Sequence, residues 1–122
     1  MKYMLLIYHN EQDWDRYTEN ERQQIYGEYR DLISELSSQG KYLVGDELQP
    51  VTTASTVSVR DGQQVVTDGP FAETREQVGG FFLIDAASRD EAIAIAARIP
   101  SARTGTIEVR PVMVNAEAAG VV

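Results

Sequence analysis

The chain has 122 residues, 43% hydrophobic and 25% charged, which places it among single compact domains and outside the composition of disordered chains. Its 11 Lys and Arg stand against 19 Asp and Glu, and a net charge of -8 repels phosphate backbones and anionic lipid, so nucleic-acid and membrane-surface binding are disfavoured. With no cysteine there is no disulfide frame, no thiolate metal site and no cysteine nucleophile.

The first apolar run, Tyr3 to Tyr8, ends at His9. It is shorter than a secretory signal core and apolar on both alternating sets, which predicts a central strand and, by default, a soluble cytoplasmic protein. A polar link through Asp13 and Asp15 leads to Thr18, with Glu21 three residues later, the spacing of a capping box. Ile25, Tyr29, Leu32, Ile33 and Leu36 then recur at helical spacing up to a stop at Gly40. Lys41 to Leu48 reads as a second strand ended by Pro50.

Asp61-Gly62 between Thr56–Arg60 and Gln63–Thr67 predicts a hairpin with a two-residue turn. Gly80 to Asp85 is again apolar on both faces and belongs centrally. Ser88 and Glu91 cap a shorter helix carrying Ala92, Ile95, Ala96 and Ile99, which Pro100 ends, and Thr106 to Val112 forms the last strand. The order is that of an α+β, ferredoxin-like βαββαβ fold with an inserted β-hairpin, one domain over residues 1–114 followed by a loosely held tail over 115–122. Two helices cover only one face of such a sheet, while the central strands are apolar on both. The expectation is a homodimer in which a second copy covers the bare face and encloses a cavity.

Several side chains could carry chemistry. Asp68, before Gly69-Pro70, either turns onto its own backbone, the ordinary use of such a sequence, or holds a carboxylate beside a pocket. Phe71 is expected in the core or the pocket. Glu73 could share a rim with Asp68, an arrangement suited to general acid and base work, although a solvated loop is the simpler reading. His9 is the only histidine; at a strand end it reads first as a surface residue, with a catalytic role as the lesser alternative. Tyr8, Tyr26 and Tyr29 could line a cavity or serve the core. Arg110, near Glu108, could anchor an anionic ligand or form a cross-strand ion pair. Gly79-Gly80 opens a strand, not a helix, and so makes no phosphate loop.

The stretch Asp68-Gly69-Pro70-Phe71-Ala72-Glu73-Thr74-Arg75-Glu76-Gln77-Val78-Gly79-Gly80-Phe81, together with Met1–Tyr8 and the segments Ala97–Arg103 and Ile107–Val112, resembles the DGPF-domain branch of the YCII-related family. The resemblance implies a dimeric α/β barrel of ferredoxin-like subunits, a bacterial setting and a link to extracytoplasmic-function sigma factors. Proteins of this family are proposed to use a His-Asp pair in the dimer cleft, and a dehydrochlorinase is similar in fold. The family's histidine lies on the first helix, near Glu28 or Tyr29 here, and neither is a histidine.

The leading expectation is therefore a cleft lined by Tyr8, Tyr29, Asp68 and Phe71 that binds a small, partly apolar molecule. Proton transfer there would need no cofactor or metal, with Asp68 as base or orienter, Glu28 or Tyr29 as partner and Glu73 as electrostatic modulator. The alternative is a non-enzymatic ligand-sensing or interaction module whose acidic surface meets a basic partner such as a sigma factor.

Overall fold

The computed structural model describes residues 1–114; the tail expected over 115–122 lies outside them. Strand β1 (Lys2–His9) leads through a short helix α1 (Glu11–Asp15) into the long helix α2 (Glu19–Ser38) and strand β2 (Tyr42–Glu47). A single 3-10 turn, Val51–Thr53, precedes the hairpin strands β3 (Ser55–Arg60) and β4 (Gln63–Asp68). Strand β5 (Gln77–Asp85), helix α3 (Arg89–Arg98), a second 3-10 turn at Pro100–Arg103 and strand β6 (Thr106–Pro111) complete the chain.

The main sheet runs β2-β5-β1-β6, every neighbouring pair antiparallel, which is the ferredoxin-like arrangement expected from the element order. Tyr3, Leu5 and Ile7 of β1 and Phe82 and Ile84 of β5 point to one face, where they bury against Leu32 and Leu36 of α2 and Ala92, Ile95 and Ala96 of α3. Tyr29 and Tyr42 meet the Phe82 ring edge-on, at centroid separations of 6.1 and 5.1 Å. The other face carries Met4, Leu6 and Tyr8 of β1, Phe81 and Leu83 of β5 and Val44 of β2. These side chains are partly or fully exposed, so the apolar surface anticipated on the helix-free side is present.

Local signals set the boundaries. Thr18 and Glu21 form the reciprocal capping box at the start of α2, and Gly40, just beyond its end, takes a positive φ of 71°. Asp61 and Gly62 both take positive φ, 51° and 76°, as a type I′ turn requires. The stretch expected as a polar link contains a helix instead. Asn10 caps α1 by accepting from the Gln12 amide, and the five residues bury no side chain, so no apolar stripe announces them. No helix among the described residues is long and apolar enough to cross a membrane.

Candidate functional site

A cavity of about 700 Å³ opens on the helix-covered side of the sheet, between the amino-terminal half of α2, helix α1 and the β2 end of the sheet. It lies within one chain. A single subunit forms it, because α2 packs closely on the sheet only where Leu32 and Leu36 reach it and spans the gap with tyrosines nearer its start.

Glycines shape the sheet side of the cavity. Gly45 of β2 and Gly80 of β5 line it, and a Cβ at Gly80 would come within 2.8 Å of the Asp46 carbonyl oxygen, so bare backbone and close strand approach go together there. Next to it the β1–β5 register slips: Ile7 pairs with Gly80 and Tyr8 with Val78, which leaves Gly79 as the extra residue of a bulge. The imidazole of His9 occupies the space beside Gly79 in which a methyl group would overlap it. The bulge and its glycine together aim His9 at the cavity rather than at solvent, and His9 is only partly exposed. His9 thus stands at the cavity wall and not on the open surface that a strand-end histidine usually occupies, through a register slip that no local signal in the sequence announces.

The remaining walls are aromatic. Trp14 of α1 stands edge-on to Tyr26 of α2 at 5.5 Å and to Tyr17 at 5.7 Å. Arg22 holds this arrangement by donating from Nε and Nη2 to the Trp14 carbonyl, at 3.3 and 3.1 Å, with its guanidinium 5.5 Å from the indole centre. Glu11 secures α1 at its other end: its amide donates to Gln77 Oε1 at 3.1 Å, and its carboxylate accepts from the Val51 amide at 3.0 Å.

Three phenols face the cavity, and each is held protonated. Burial pushes the Tyr29 hydroxyl above its ordinary value, although its 2.6 Å hydrogen bond with Ser101 Oγ acts in the opposite sense. Burial likewise raises Tyr26, reinforced by its 3.0 Å hydrogen bond to Glu47 Oε1, and raises Tyr42, reinforced by the nearby Asp46 charge. Near neutral pH these groups are hydrogen-bond donors and not bases. His9 supplies the imidazole of the site, a ring that in its neutral form offers one donor and one acceptor nitrogen.

A smaller cavity of about 280 Å³ shares His9, Trp14, Ile25 and Ser101 with the larger one. Glu28 lines it, but its carboxylate is engaged by Arg103 at 2.6 Å. Among the described residues no cluster of three or more His, Asp or Glu comes together as a set of metal ligands.

Of the residues expected to line one cleft, only Tyr29 does so, with Tyr26 beside it. Tyr8 lies on the helix-free face, where its hydroxyl donates to Glu108 Oε1 at 3.0 Å, and that bond is the main cause of its raised phenol. Glu108 therefore serves Tyr8, and Arg110 forms no ion pair among the described residues, in place of the cross-strand pair expected. Asp68 ends β4 opposite Ser55 and is exposed, as is Glu73, and neither lines either of these two cavities. Phe71 is 91% exposed, not in the core, because Gly69-Pro70 carries the chain away from the sheet. Trp14 and Tyr42 were not anticipated at the site. The first rides on the unpredicted helix, and the second faces the cavity only through its pairing with Ile84.

A family model for the YCII-related domain matches residues 1–115. An uncharacterized protein of Rhizobium meliloti (strain 1021) is 37% identical over 113 residues, which cover 91% of each chain.

Proposed function

The chain belongs to the YCII-related domain family, and from that premise we propose that it binds a small, partly apolar, planar molecule in the large cavity and carries out cofactor-free proton transfer on it. The observation that supports this reading is the cavity itself: about 700 Å³, walled by Trp14, Tyr26, Tyr29, Tyr42 and Phe82, with the single histidine set into its side. Trp14 and Phe82 offer apolar faces to the body of the guest. Tyr29, neutral and anchored on Ser101, donates a hydrogen bond to an oxygen or nitrogen of the guest, while His9 takes or returns the proton. In this reading two copies meet on the helix-free face through Met4, Leu6, Phe81 and Leu83, and the Asp68-Gly69-Pro70-Phe71 run supports membership of the DGPF branch.

A thermal-shift screen of aromatic and small-acid compounds tests the binding step, because a ligand held only by the native state raises its melting temperature. A compound that stabilises the wild type, with the gain reduced in Tyr29→Phe and His9→Ala, supports the proposal; absence of any stabilising compound overturns it. Proton transfer is tested by following exchange of that compound's C–H protons with heavy water by NMR, which the wild type should accelerate and His9→Ala should not.

A second reading, a non-enzymatic sensing or interaction module meeting a basic partner such as a sigma factor, is favoured by the solvated positions of Asp68 and Glu73, which leave the acidic surface free. Binding without exchange chemistry would favour it.

A further inference from the structure

Strands β3 and β4 form an arm that pairs with no strand of the main sheet. A lone two-stranded hairpin is marginal in water and stands only when one of its faces is packed. The register puts Val57 directly opposite Val66, with Val59 next along the same face, and these valines are 59%, 53% and 61% exposed. Phe71 follows just past the base of the arm and is exposed as well. The opposite face, with Thr56, Ser58 and Thr67, is mostly polar. The arm is thus amphipathic, and its apolar face is left largely uncovered by the described residues.

We propose that this face packs against a second copy of the chain, the arm of each copy clasping the other and adding to the contact made by the helix-free sheet. The proposal rests on the homodimer reading given above and names the segment that secures it. The area argues for this occupant. The three valines and Phe71 present roughly 400 Å² of apolar surface, within the range of the largest patch a soluble monomer leaves open and of a size that is often functional. A two-fold contact uses the patch twice and buries a similar area on each mate, so it reaches about 1,600 Å², the size of a stable interface. A foreign partner would engage the patch once, and the contact would fall to about half of that, below the stable range. Two bodies of net charge -8 repel each other at long range, whereas the valine face carries a single charge, Asp68 at the base of the arm. Association driven by that face is therefore tightened by salt, which screens the repulsion and leaves the apolar contact.

Sedimentation equilibrium at low and high salt tests this on the full chain, comparing the wild type with Val57→Lys/Val66→Lys on the arm, Phe71→Ser, and Leu83→Lys on the helix-free face. The expected result is a wild-type dimer that tightens with salt, and arm variants whose dissociation constant rises tenfold or more while circular dichroism stays native. A wild-type dimer matched in affinity by the arm variants overturns the clasp and leaves the sheet-face dimer standing; a wild-type monomer at all concentrations overturns both. Hydrogen exchange of the wild type reads the same point without substitution. Amides of residues 55–68 should gain protection as concentration rises through the dissociation constant, and protection that does not change with concentration overturns the clasp.

Discussion

The His9 imidazole fills the space that a side chain at Gly79 would need, so these two residues on paired strands fit as one unit at the wall of the cavity. The fit depends on a bulge. A ladder in perfect register would have set His9 beside a different residue and turned its ring elsewhere.

Gly79→Ala should therefore destabilise the protein by about 1–3 kcal/mol, the usual cost of forcing extra atoms into a packed site. In a His9→Ala background the same substitution should cost markedly less, because the overlapping ring is gone. Urea unfolding of the two single variants and the double variant gives the coupling directly, and additive effects would show that the two side chains do not meet.

Tyr29 gives a pH dependence. Its folded-state value lies above the ordinary 10.0 because burial disfavours the phenolate, so the native state holds that proton more tightly than the unfolded chain does. The stability this contributes is fully present below pH 10 and is lost as pH rises through the folded value. Tyr29→Phe should lower stability at pH 8 by about 1 kcal/mol, through loss of the Ser101 hydrogen bond. It should also make stability fall less steeply than in the wild type above pH 10. Urea midpoints across the alkaline range check both.

Leu36 is 1% exposed and Ile84 fully buried, in the layer where α2 and β5 meet. Truncating either to Ala should cost about 2–5 kcal/mol, whereas Leu48→Ala, at a position 48% exposed on the cavity rim, should change stability by no more than about 0.5 kcal/mol. Denaturant midpoints decide it.

Thr18→Ala removes the side-chain acceptor for the Glu21 amide and should cost about 1 kcal/mol, with Thr18→Ser restoring most of it. Far-ultraviolet circular dichroism through the urea transition would show the loss.

Asp68→Ala and Glu73→Ala should leave the affinity for a ligand of the large cavity unchanged, since neither residue lines it, while Tyr29→Phe should weaken it. Isothermal titration with a compound from the screen measures all three. A loss at Asp68 would return that carboxylate to the site.

The sequence carried the scaffold because its signals are local. Thr18 with Glu21 and Ser88 with Glu91 mark helix starts within one turn, and Asp61-Gly62 fixes its hairpin within four residues. The site was less legible because it depends on contacts between distant segments. His9 reaches the cavity through a slip in its pairing with a strand some 70 residues away, and Tyr42 by lying opposite Ile84. Trp14 belongs to a helix too short to show periodicity, and only Asn10, followed by acidic Glu11 and Asp13, hints at it. Asp68 and Phe71 drew notice through their motif, but a motif does not reveal which way a loop leaves the sheet.

Helix α2 is tethered along its length to the segment that follows β5. Glu35 pairs with Arg98, Tyr29 bonds Ser101 and Glu28 pairs with Arg103. On the far side of the opening, α1 buries no side chain and hangs from Gln77, Val51 and Arg22. The two jambs of this doorway thus differ in stiffness. Were a guest to strain the chamber, the Trp14 side, held by those few polar tethers, is the jamb that would give first.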